Sequence, residues 1–269
     1  MAESLTDNPM PDKGGFLTLP RKGQNIIAIA SGKSGTGKTW FSISLSYALN
    51  LCKQKVLLFD ADNGIENINS QLGLDISSGL EKAINDEKSL NQIIYNYDKG
   101  HFDIITRKSE SAGLSVLPIG RLQILGSDLC IIAENYDKVI LDMSAGIEKE
   151  VRIISGMADS ILVLCNAESP SLTEAYSYIK IMHEQYAKKQ FMIVINQVNS
   201  IIEGERAYSL LQRACNDFMQ VNLQLLGIIR KDARVRDAIK NKVPVISRYP
   251  TAEVSEDVWM IAKKLVEHG

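Results

Sequence analysis

Residues 26–39 read IIAIASGKSGTGKT, and this stretch decides the fold. Its first five residues are apolar without in-and-out alternation, which is typical of a strand buried on both faces of a parallel sheet. The strand leads into the pattern G-x-x-x-x-G-K-[ST], whose fixed positions are Gly32, Gly37, Lys38 and Thr39. Because an apolar helical stretch follows at once, the order of strand, glycine-rich loop and helix predicts a phosphate-binding loop.

The residue types in this loop suit the binding of phosphate groups. Glycines let a loop wind around an anion so that its backbone N–H groups point inward. The N-terminal end of the following helix adds a partial positive charge. Lys38 can bridge the β- and γ-phosphates of a nucleotide, and the Thr39 hydroxyl can ligate Mg²⁺. The loop therefore predicts a nucleotide-binding protein.

Short apolar, β-branched runs recur along the rest of the chain, and stretches with helical spacing lie between most of them. Strands without alternation, each followed by a helix, predict an α/β fold: a doubly wound, mostly parallel sheet with helices on both faces. A helix is expected within residues 172–186. The predicted strands are residues 25–30, 55–59, 114–117, 138–141, 161–165, 191–195 and 223–229, with residues 102–106 as a further candidate.

The chain divides into a short tail and one large domain. Residues 1–23 contain three prolines and no apolar periodicity, which indicates a flexible N-terminal tail. Residues 24–269 are long enough for a single α/β domain.

Composition excludes several classes of protein. Hydrophobic residues make up 45% of the 269 residues and charged residues 23%, the ordinary balance of a soluble globular protein. Lys and Arg number 30 against 32 Asp and Glu, so the net charge is -2 and no overall positive field attracts nucleic acid. The apolar runs are far shorter than the roughly 20 residues that cross a bilayer, and no secretory signal precedes them. We therefore expect a cytoplasmic protein.

The cysteines are scattered and form no C-x-x-C pair: Cys52, Cys130, Cys165 and Cys215. Cys52 and Cys165 lie in apolar stretches, so we expect reduced thiols buried in the fold. A metal or iron–sulfur cluster shared between subunits is the alternative, and no ligand spacing supports it.

A second lysine, Lys33, follows the first glycine of the loop and completes the K-x-G-x-G-K-[ST] pattern of the deviant Walker A ATPases. With it the chain resembles the MinD/ParA family, and the resemblance extends over about residues 24–267. Residues 60–73, which begin DADNG, are similar to the family's first mobile segment, switch I. Residues 139–147, VILDMSAGI, resemble its Walker B strand followed by switch II. The resemblance implies a phosphate-loop ATPase that binds ATP or ADP with Mg²⁺.

Within this family the chain is most similar to the regulators of flagellar number known as FlhG, FleN or YlxH. The similarity is carried by residues 60–73 and 141–147, by NAESPSLTEAY at residues 166–176, and by residues 229–250. It implies a positional switch that controls the number or placement of flagella.

The resemblance also assigns roles to individual residues. Asp60 ends a predicted strand beside the loop, where a carboxylate can orient the attacking water. Asn196 resembles the family's adenine-contacting asparagine. The implied catalytic residues are Lys33, Lys38 and Asp60. The implied metal ligands are Thr39, Asp60 and Asp142. The implied nucleotide-binding residues are Gly32, Lys33, Ser34, Gly35, Thr36, Gly37, Lys38, Thr39, Trp40, Asp62, Gly146, Asn196, Arg230 and Asp232.

The resemblance further implies an ATP-dependent homodimer, in which Lys33 reaches across a two-fold axis to the partner's ATP. Expected protein partners belong to the flagellar apparatus: an FlhF-like GTPase and switch components. The protein is expected in the cytoplasm, with transient association at the inner membrane.

Other functions remain open from the sequence. A DNA-partitioning ATPase of the ParA type would need a continuous basic stripe, but Asp232 and Asp237 interrupt the basic run at residues 230–242. A MinD-like regulator of the cell-division site is a further alternative. A carrier of the nitrogenase-iron-protein type would need paired cysteines. A scaffold without hydrolysis is disfavoured because Asp60 and Asp142 are both present.

Overall fold

The computed structural model describes residues 25–62, 64, 67–76, 79–85, 87–107, 113–186 and 189–267. The tail predicted at residues 1–23 lies outside these ranges. The described strands form one eight-stranded sheet in the order β3-β4-β2-β5-β1-β6-β7-β8. Their bounds are β1 Ile26–Ala30, β2 Val56–Ala61, β3 Tyr95–Tyr97, β4 Phe102–Ile105, β5 Lys138–Met143, β6 Ser160–Asn166, β7 Gln190–Val198 and β8 Gln224–Arg230.

Helices alternate with these strands along the chain. A proline in the first turn of α6 suits its N-terminus, because the N–H that proline lacks has no helical partner there. The helix bounds are α1 Lys38–Leu51, α2 Ile68–Leu72, α3 Leu80–Ile84, α4 Ile119–Ala133, α5 Lys149–Met157, α6 Ser169–Gln185, α7 Ile201–Met219, α8 Arg234–Lys240, α9 Val245–Arg248 and α10 Glu253–Glu267. No helix among the described residues is long and apolar enough to cross a membrane.

Two hydrophobic cores cover the two faces of the sheet. On one face, Ala28, Phe59 and Leu141 pack with side chains of α4, α5, α6 and α7. On the other face, Ile29 and Leu58 pack with α1, α2, α8, α9 and α10. Burying one large apolar side chain stabilises the fold by about 1.5–3 kcal/mol, so both faces contribute. The predicted α/β fold with a mostly parallel sheet is confirmed.

The strand predicted at residues 114–117 is wrong. Leu114–Val116 is a short 3-10 helix between Gly113 and Pro118. Leu114 is buried and Leu117 is half-buried on the same core, but Val116 is 66% exposed, so this run packs on one side only. The apolar pattern was therefore too short to distinguish a buried turn from a strand.

The candidate strand at residues 102–106 is confirmed as Phe102–Ile105, which pairs parallel to β2. An unpredicted strand, Tyr95–Tyr97, pairs antiparallel to it at the edge of the sheet. Its central residue is exposed, as is usual for a strand that leaves one face to solvent. Because β4 lies next to β2 and runs parallel to it, the carboxyl ends of the two strands meet at the same edge of the sheet.

Candidate functional site

The phosphate-binding loop joins β1 to α1 at the carboxyl edge of the sheet. Gly35 and Gly37 have φ angles of 79° and 93°, in the left-handed region that glycine adopts without strain. Gly32 is needed for a different reason: a Cβ there would lie 2.3 Å from the backbone of Glu174 on α6. Ser34 and Gly35 are exposed at the tip of the loop. The glycines therefore fix both the shape of the loop and its packing on α6.

Lys38, the first residue of α1, is a buried cation with only 7% of its surface exposed. Its Nζ donates a hydrogen bond to Ser31 Oγ at 2.9 Å, and Ser31 Oγ donates in turn to the carbonyl oxygen of Lys33 at 2.7 Å. Burial lowers the pKa of Lys38, while the negative charges of Asp142 and Asp62 raise it. A polyphosphate would supply further negative charge and favour the charged ammonium.

Asp142 is the penultimate residue of β5 and is completely buried. Ser42 donates a hydrogen bond to Asp142 Oδ1 at 2.9 Å, and the nearby Thr39 hydroxyl lowers the pKa of this carboxyl group. Burial raises the pKa of Asp142 to about 7, with a further contribution from the charge of Asp60. Asp142 Oδ2 has no hydrogen-bond partner among the described residues.

This unpartnered oxygen provides a test of whether the residues fit Mg²⁺. A buried carboxylate oxygen without a partner is costly, and a metal-bound water would satisfy it. The hydroxyl of Thr39, which the sequence predicts as a direct ligand, is near enough to lower the pKa of the same carboxyl group. Hydroxyl and carboxylate oxygens are the hard donors that Mg²⁺ prefers. Thr39 and Asp142 therefore fit the ion that the sequence predicts.

Asp60, the penultimate residue of β2, lies directly beside Asp142, since the two residues are register partners in the parallel sheet. Both oxygens of Asp60 accept hydrogen bonds: Oδ2 from Thr106 Oγ1 at 2.5 Å and Oδ1 from the backbone N–H of Asp62 at 3.2 Å. Burial raises the pKa of Asp60 to about 6, and the Thr106 hydrogen bond opposes this shift. The carboxylate is therefore held in one orientation.

The two predicted switch segments contact each other. Ser144 donates a hydrogen bond to Asp62 Oδ1 at 2.8 Å, and Gly64 N–H donates to the same oxygen at 3.0 Å. Gly146, which has a φ of 96°, donates its N–H to the carbonyl oxygen of Ser31 at 2.9 Å. Switch II therefore touches both switch I and the phosphate-binding loop. Asn63, within the predicted switch I, lies outside the described residues.

Lys33 extends from the loop to the start of α6. Its Nζ lies 3.4 Å from Glu168 Oε2, and the two side chains are 39% and 66% exposed. Both are accessible enough to exchange this partner for another.

The residues expected around a base form hydrogen bonds with other parts of the chain. Asn196 Nδ2 donates to the carbonyl oxygen of Thr36 at 2.7 Å. Arg230 donates to both oxygens of Asp257, at 3.0 and 2.7 Å, and to Glu253 at 2.5 Å. Asp232 Oδ1 accepts from the backbone and side chain of Arg234. Trp40 is buried in the core that contains α1.

Sequence reasoning missed several residues that hold the site together: Ser31, Ser42, Thr106, Arg107, Ser144 and Glu168. Thr106 had the clearest signal, because it is the polar last residue of the candidate strand at residues 102–106 and directly follows two isoleucines. The cysteines Cys165 and Cys215 are buried as expected, whereas Cys52 and Cys130 are half-buried; all four are free thiols.

Comparison with known proteins supports the sequence resemblance. A family model described as the CobQ/CobB/MinD/ParA nucleotide binding domain matches residues 27–245. The antiactivator FleN of Pseudomonas aeruginosa is 27% identical over 241 residues, which cover 89% of this chain and 85% of FleN. The flagellum site-determining protein YlxH of Helicobacter pylori is 26% identical over 265 residues, which cover 98% of this chain and 89% of YlxH.

Solved structures show the same fold. The septum site-determining protein MinD from Pyrococcus horikoshii, complexed with Mg-ADP, matches with a TM-score of 0.73 at 22% identity. The match covers 90% of this chain and 95% of that protein. The sequence resemblance to MinD/ParA proteins, and to FleN and YlxH among them, is confirmed. Since the family model matches most of the chain, from β1 to the first residue of α9, the chain belongs to the CobQ/CobB/MinD/ParA family of nucleotide-binding domains.

Proposed function

We propose that this protein is an ATP-hydrolysing switch of the MinD/ParA type that regulates the number or placement of flagella. The observation that supports hydrolysis is the position of Asp60 and Asp142 on neighbouring strand ends, with the buried cation Lys38 beside them. FleN is named an antiactivator and YlxH a flagellum site-determining protein, and these names favour the flagellar role. ATP, ADP and Mg²⁺ are the proposed cofactors.

Each group of residues in the site has its own proposed role in hydrolysis. Lys38 and the backbone N–H groups of the loop bind the β- and γ-phosphates. Thr39 and Asp142 would hold Mg²⁺, Asp142 through a bound water, and the ion when bound neutralises charge on the phosphate oxygens. Asp60 orients the attacking water through its carboxylate. Loss of the γ-phosphate would change the contacts available to the switch residues Asp62 and Ser144, which already bind each other.

We infer further that ATP favours a homodimer in which Lys33 contacts the nucleotide of the partner subunit. The Lys33 ammonium is partly exposed, and its partner among the described residues is the exposed acid Glu168, so it can be redirected. A cation supplied across the interface would offset charge that develops in the transition state. Differential affinity for monomer and dimer then couples the nucleotide state to assembly.

The proposed setting of this switch is the cytoplasm, with transient association at the inner membrane. The proposed partners are an FlhF-like GTPase and components of the flagellar switch. A pull-down against these components with ATP, and then with ADP, tests this part. Retention that does not depend on the nucleotide would contradict a positional switch.

The experiment for the enzymatic part uses Asp60→Ala and Lys33→Ala. Asp60→Ala should bind ATP as the wild type does, hydrolyse it at least about a hundredfold more slowly, and accumulate as a dimer. Lys33→Ala should bind ATP but neither dimerise nor hydrolyse it. Single-turnover hydrolysis, ATP titration and sedimentation measure these three properties.

The control is Lys99→Ala, which removes an exposed lysine beside the β3–β4 turn, at the opposite edge of the sheet from the loop. It should behave as the wild type. A monomeric Asp60→Ala protein at saturating ATP, or a Lys33→Ala protein that dimerises normally, would contradict the proposed mechanism.

DNA partitioning is less well supported by the described residues. Arg230, Arg234 and Arg248 each form an ion pair with an acidic residue of the same chain. Paired arginines present a weaker field to phosphates than a continuous basic stripe would. DNA binding that weakens steeply with salt would support the ParA-type alternative instead.

A further inference from the structure

Two buried residues at the carboxyl end of β4 contact β2 and switch I. Thr106 and Arg107 are only 2% and 5% exposed. They follow Ile105, which pairs with Phe59 of β2, so the sheet places them beside the residues that follow Phe59. They are termed here the β4 clamp.

Thr106 contacts the carboxylate that is proposed to orient water. Its hydroxyl donates to Asp60 Oδ2 at 2.5 Å, and both groups are buried. A short hydrogen bond to a carboxylate is strong and directional where water is excluded. The other oxygen, Oδ1, accepts only the longer bond from Asp62 N–H at 3.2 Å among the contacts described. Thr106 therefore does most to fix the rotation of the carboxylate.

Arg107 holds the backbone of switch I. Its Nε donates to the carbonyl oxygen of Asp62 at 3.2 Å, and its Nη2 donates to the carbonyl oxygen of Gly64 at 2.5 Å. A guanidinium can join two carbonyl groups in this way because its donors lie in one rigid plane, which an ammonium cannot reproduce. Arg107 thus fixes the path of the chain directly after Asp60 and Ala61.

The clamp is itself anchored away from the switch. The carbonyl oxygen of Thr106 accepts a hydrogen bond from the backbone N–H of Leu80, the first residue of α3, at 2.9 Å. A Cβ on Gly79 would lie 2.9 Å from that same carbonyl oxygen, so the segment before α3 packs directly on the clamp. The clamp therefore rests on β4 and α3, neither of which belongs to the phosphate-binding loop.

We propose that Thr106 and Arg107 are positioning residues for hydrolysis: Thr106 aims the Asp60 carboxylate, and Arg107 holds switch I so that Asp60 stays in place. This inference rests on the proposed ATPase function. It separates binding from turnover, since neither residue contacts the phosphate-binding loop in the hydrogen bonds described. Misplacement of a reacting group by about 1 Å can cost about a hundredfold in rate.

The first test replaces the Thr106 hydroxyl with a methyl group of similar size, in Thr106→Val. We expect the single-turnover rate of ATP hydrolysis to fall by about tenfold to a hundredfold, with the affinity for ATP unchanged within about twofold. Thr106→Ser keeps the hydroxyl and should restore most of the rate. If Thr106 served only in packing, Thr106→Val would keep the wild-type rate of hydrolysis and Thr106→Ser would lower it.

The matched control is Tyr178→Phe. It also removes a buried hydroxyl, which donates to Ser155 Oγ at 2.9 Å between α6 and α5. It should leave the hydrolysis rate unchanged. If Thr106→Val hydrolyses ATP at the wild-type rate, or if Thr106→Ser is as slow as Thr106→Val, the proposed role of Thr106 is wrong.

The second test does not depend on activity. In the nucleotide-free protein, Arg107→Lys should speed hydrogen exchange at the Asp62 and Gly64 amides by about tenfold, because an ammonium cannot hold both carbonyl groups. Exchange at Gly146, in switch II, serves as the internal reference. Unchanged exchange at Asp62 and Gly64 would overturn the role of Arg107.

The two experiments also distinguish this inference from the proposed function. If the wild type hydrolyses ATP and the clamp variants do so equally well, the inference fails and the ATPase assignment stands. If the wild type binds ATP but never hydrolyses it, with its partners present or not, the proposed function is wrong. The proposed role of the clamp in hydrolysis is then wrong as well. Faster exchange in Arg107→Lys would then show only that Arg107 holds the switch.

Discussion

The phosphate end and the proposed base end of this nucleotide-binding site differ in whether their side chains already have partners within the protein. At the phosphate end, Lys38 is a buried cation, and Asp142 has a carboxylate oxygen without a partner among the described residues. At the base end, the amide of Asn196 binds the loop, and the guanidinium of Arg230 is occupied by Asp257 and Glu253. The phosphate end therefore has buried polar groups that a ligand can satisfy, whereas the side chains at the base end already stabilise the protein through their contacts.

This difference indicates where the affinity for ATP comes from. Groups that are buried without a full set of partners gain most from a ligand that satisfies them. Groups that already form hydrogen bonds must lose them before they bind anything else, so their net gain is small. We therefore expect the phosphates to dominate binding, with the base adding little energy through these side chains.

The largest effect should follow from Lys38→Ala. The polyphosphate would lose its buried cation, so the affinity for ATP should fall by about a thousandfold or more, roughly 4 kcal/mol. Calorimetric or fluorescent nucleotide titration measures this loss. An affinity within about tenfold of the wild type would refute the idea that the phosphate end dominates, and with it the role assigned to the loop.

The next effect concerns the stability of the protein without nucleotide. Burial, and then the charge of Asp60, raise the pKa of Asp142 to about 7 from the ordinary 3.8. The folded state therefore binds this proton more tightly than the unfolded state. Its stabilising contribution is complete below about pH 4 and is lost as the pH rises through about 7. Asp142→Asn should then raise the free energy of unfolding by about 2–3 kcal/mol at pH 8 and by much less at pH 4.

Chemical denaturation at the two pH values, without nucleotide or Mg²⁺, measures this gain. Asp128→Asn, at an exposed position on α4, is the control for removal of a carboxylate. An equal gain at both pH values would mean that Asp142 does not hold its proton as described. The buried carboxylate at the phosphate end would then not lower the free energy of unfolding at high pH.

The same contrast explains how much the sequence could predict. The loop was predicted in full because its fixed positions lie within residues 32–39, where backbone shape and chemistry are set locally. Thr106 was missed as a partner of Asp60 because the two lie 46 residues apart and meet only when β4 pairs with β2. Asn196 was placed at the site, but its bond to Thr36 joins residues 160 positions apart. Chemistry that depends on residues close together in the sequence can therefore be predicted, whereas contacts that depend on strand order cannot.

A smaller effect is expected at the base end. Arg230→Met removes the partner of Asp257, a carboxylate that is 9% exposed, so the free energy of unfolding should fall by about 1–2 kcal/mol. The affinity for ATP should change by no more than about threefold, because the guanidinium is already bound to α10. Thermal unfolding and nucleotide titration on the same samples separate the two quantities. A tenfold loss of affinity without loss of stability would instead place Arg230 at the base.

The smallest effect concerns Lys33, the phosphate-loop cation that forms an ion pair with an exposed acid. Lys33 binds Glu168 at 3.4 Å, but both side chains are well exposed, so water and salt weaken the pair. In the proposed dimer Lys33 must leave Glu168 to reach the partner's ATP. The pair therefore opposes dimerisation by a small amount. Glu168→Gln removes the negative charge but keeps the length of the side chain, so dimerisation with ATP should tighten by about twofold to fivefold.

Sedimentation of the Asp60→Ala protein with ATP, with and without Glu168→Gln, measures this change against a background in which the dimer accumulates. Glu174→Gln, also exposed on α6, is the matched control and should have no effect. The gain should shrink as salt is raised, because screening already weakens an exposed ion pair. Weaker dimerisation would mean that Glu168 contributes to the interface rather than competing for Lys33. Lys33 would then resemble the side chains of the base end, which bind other parts of the chain, more than it resembles Lys38.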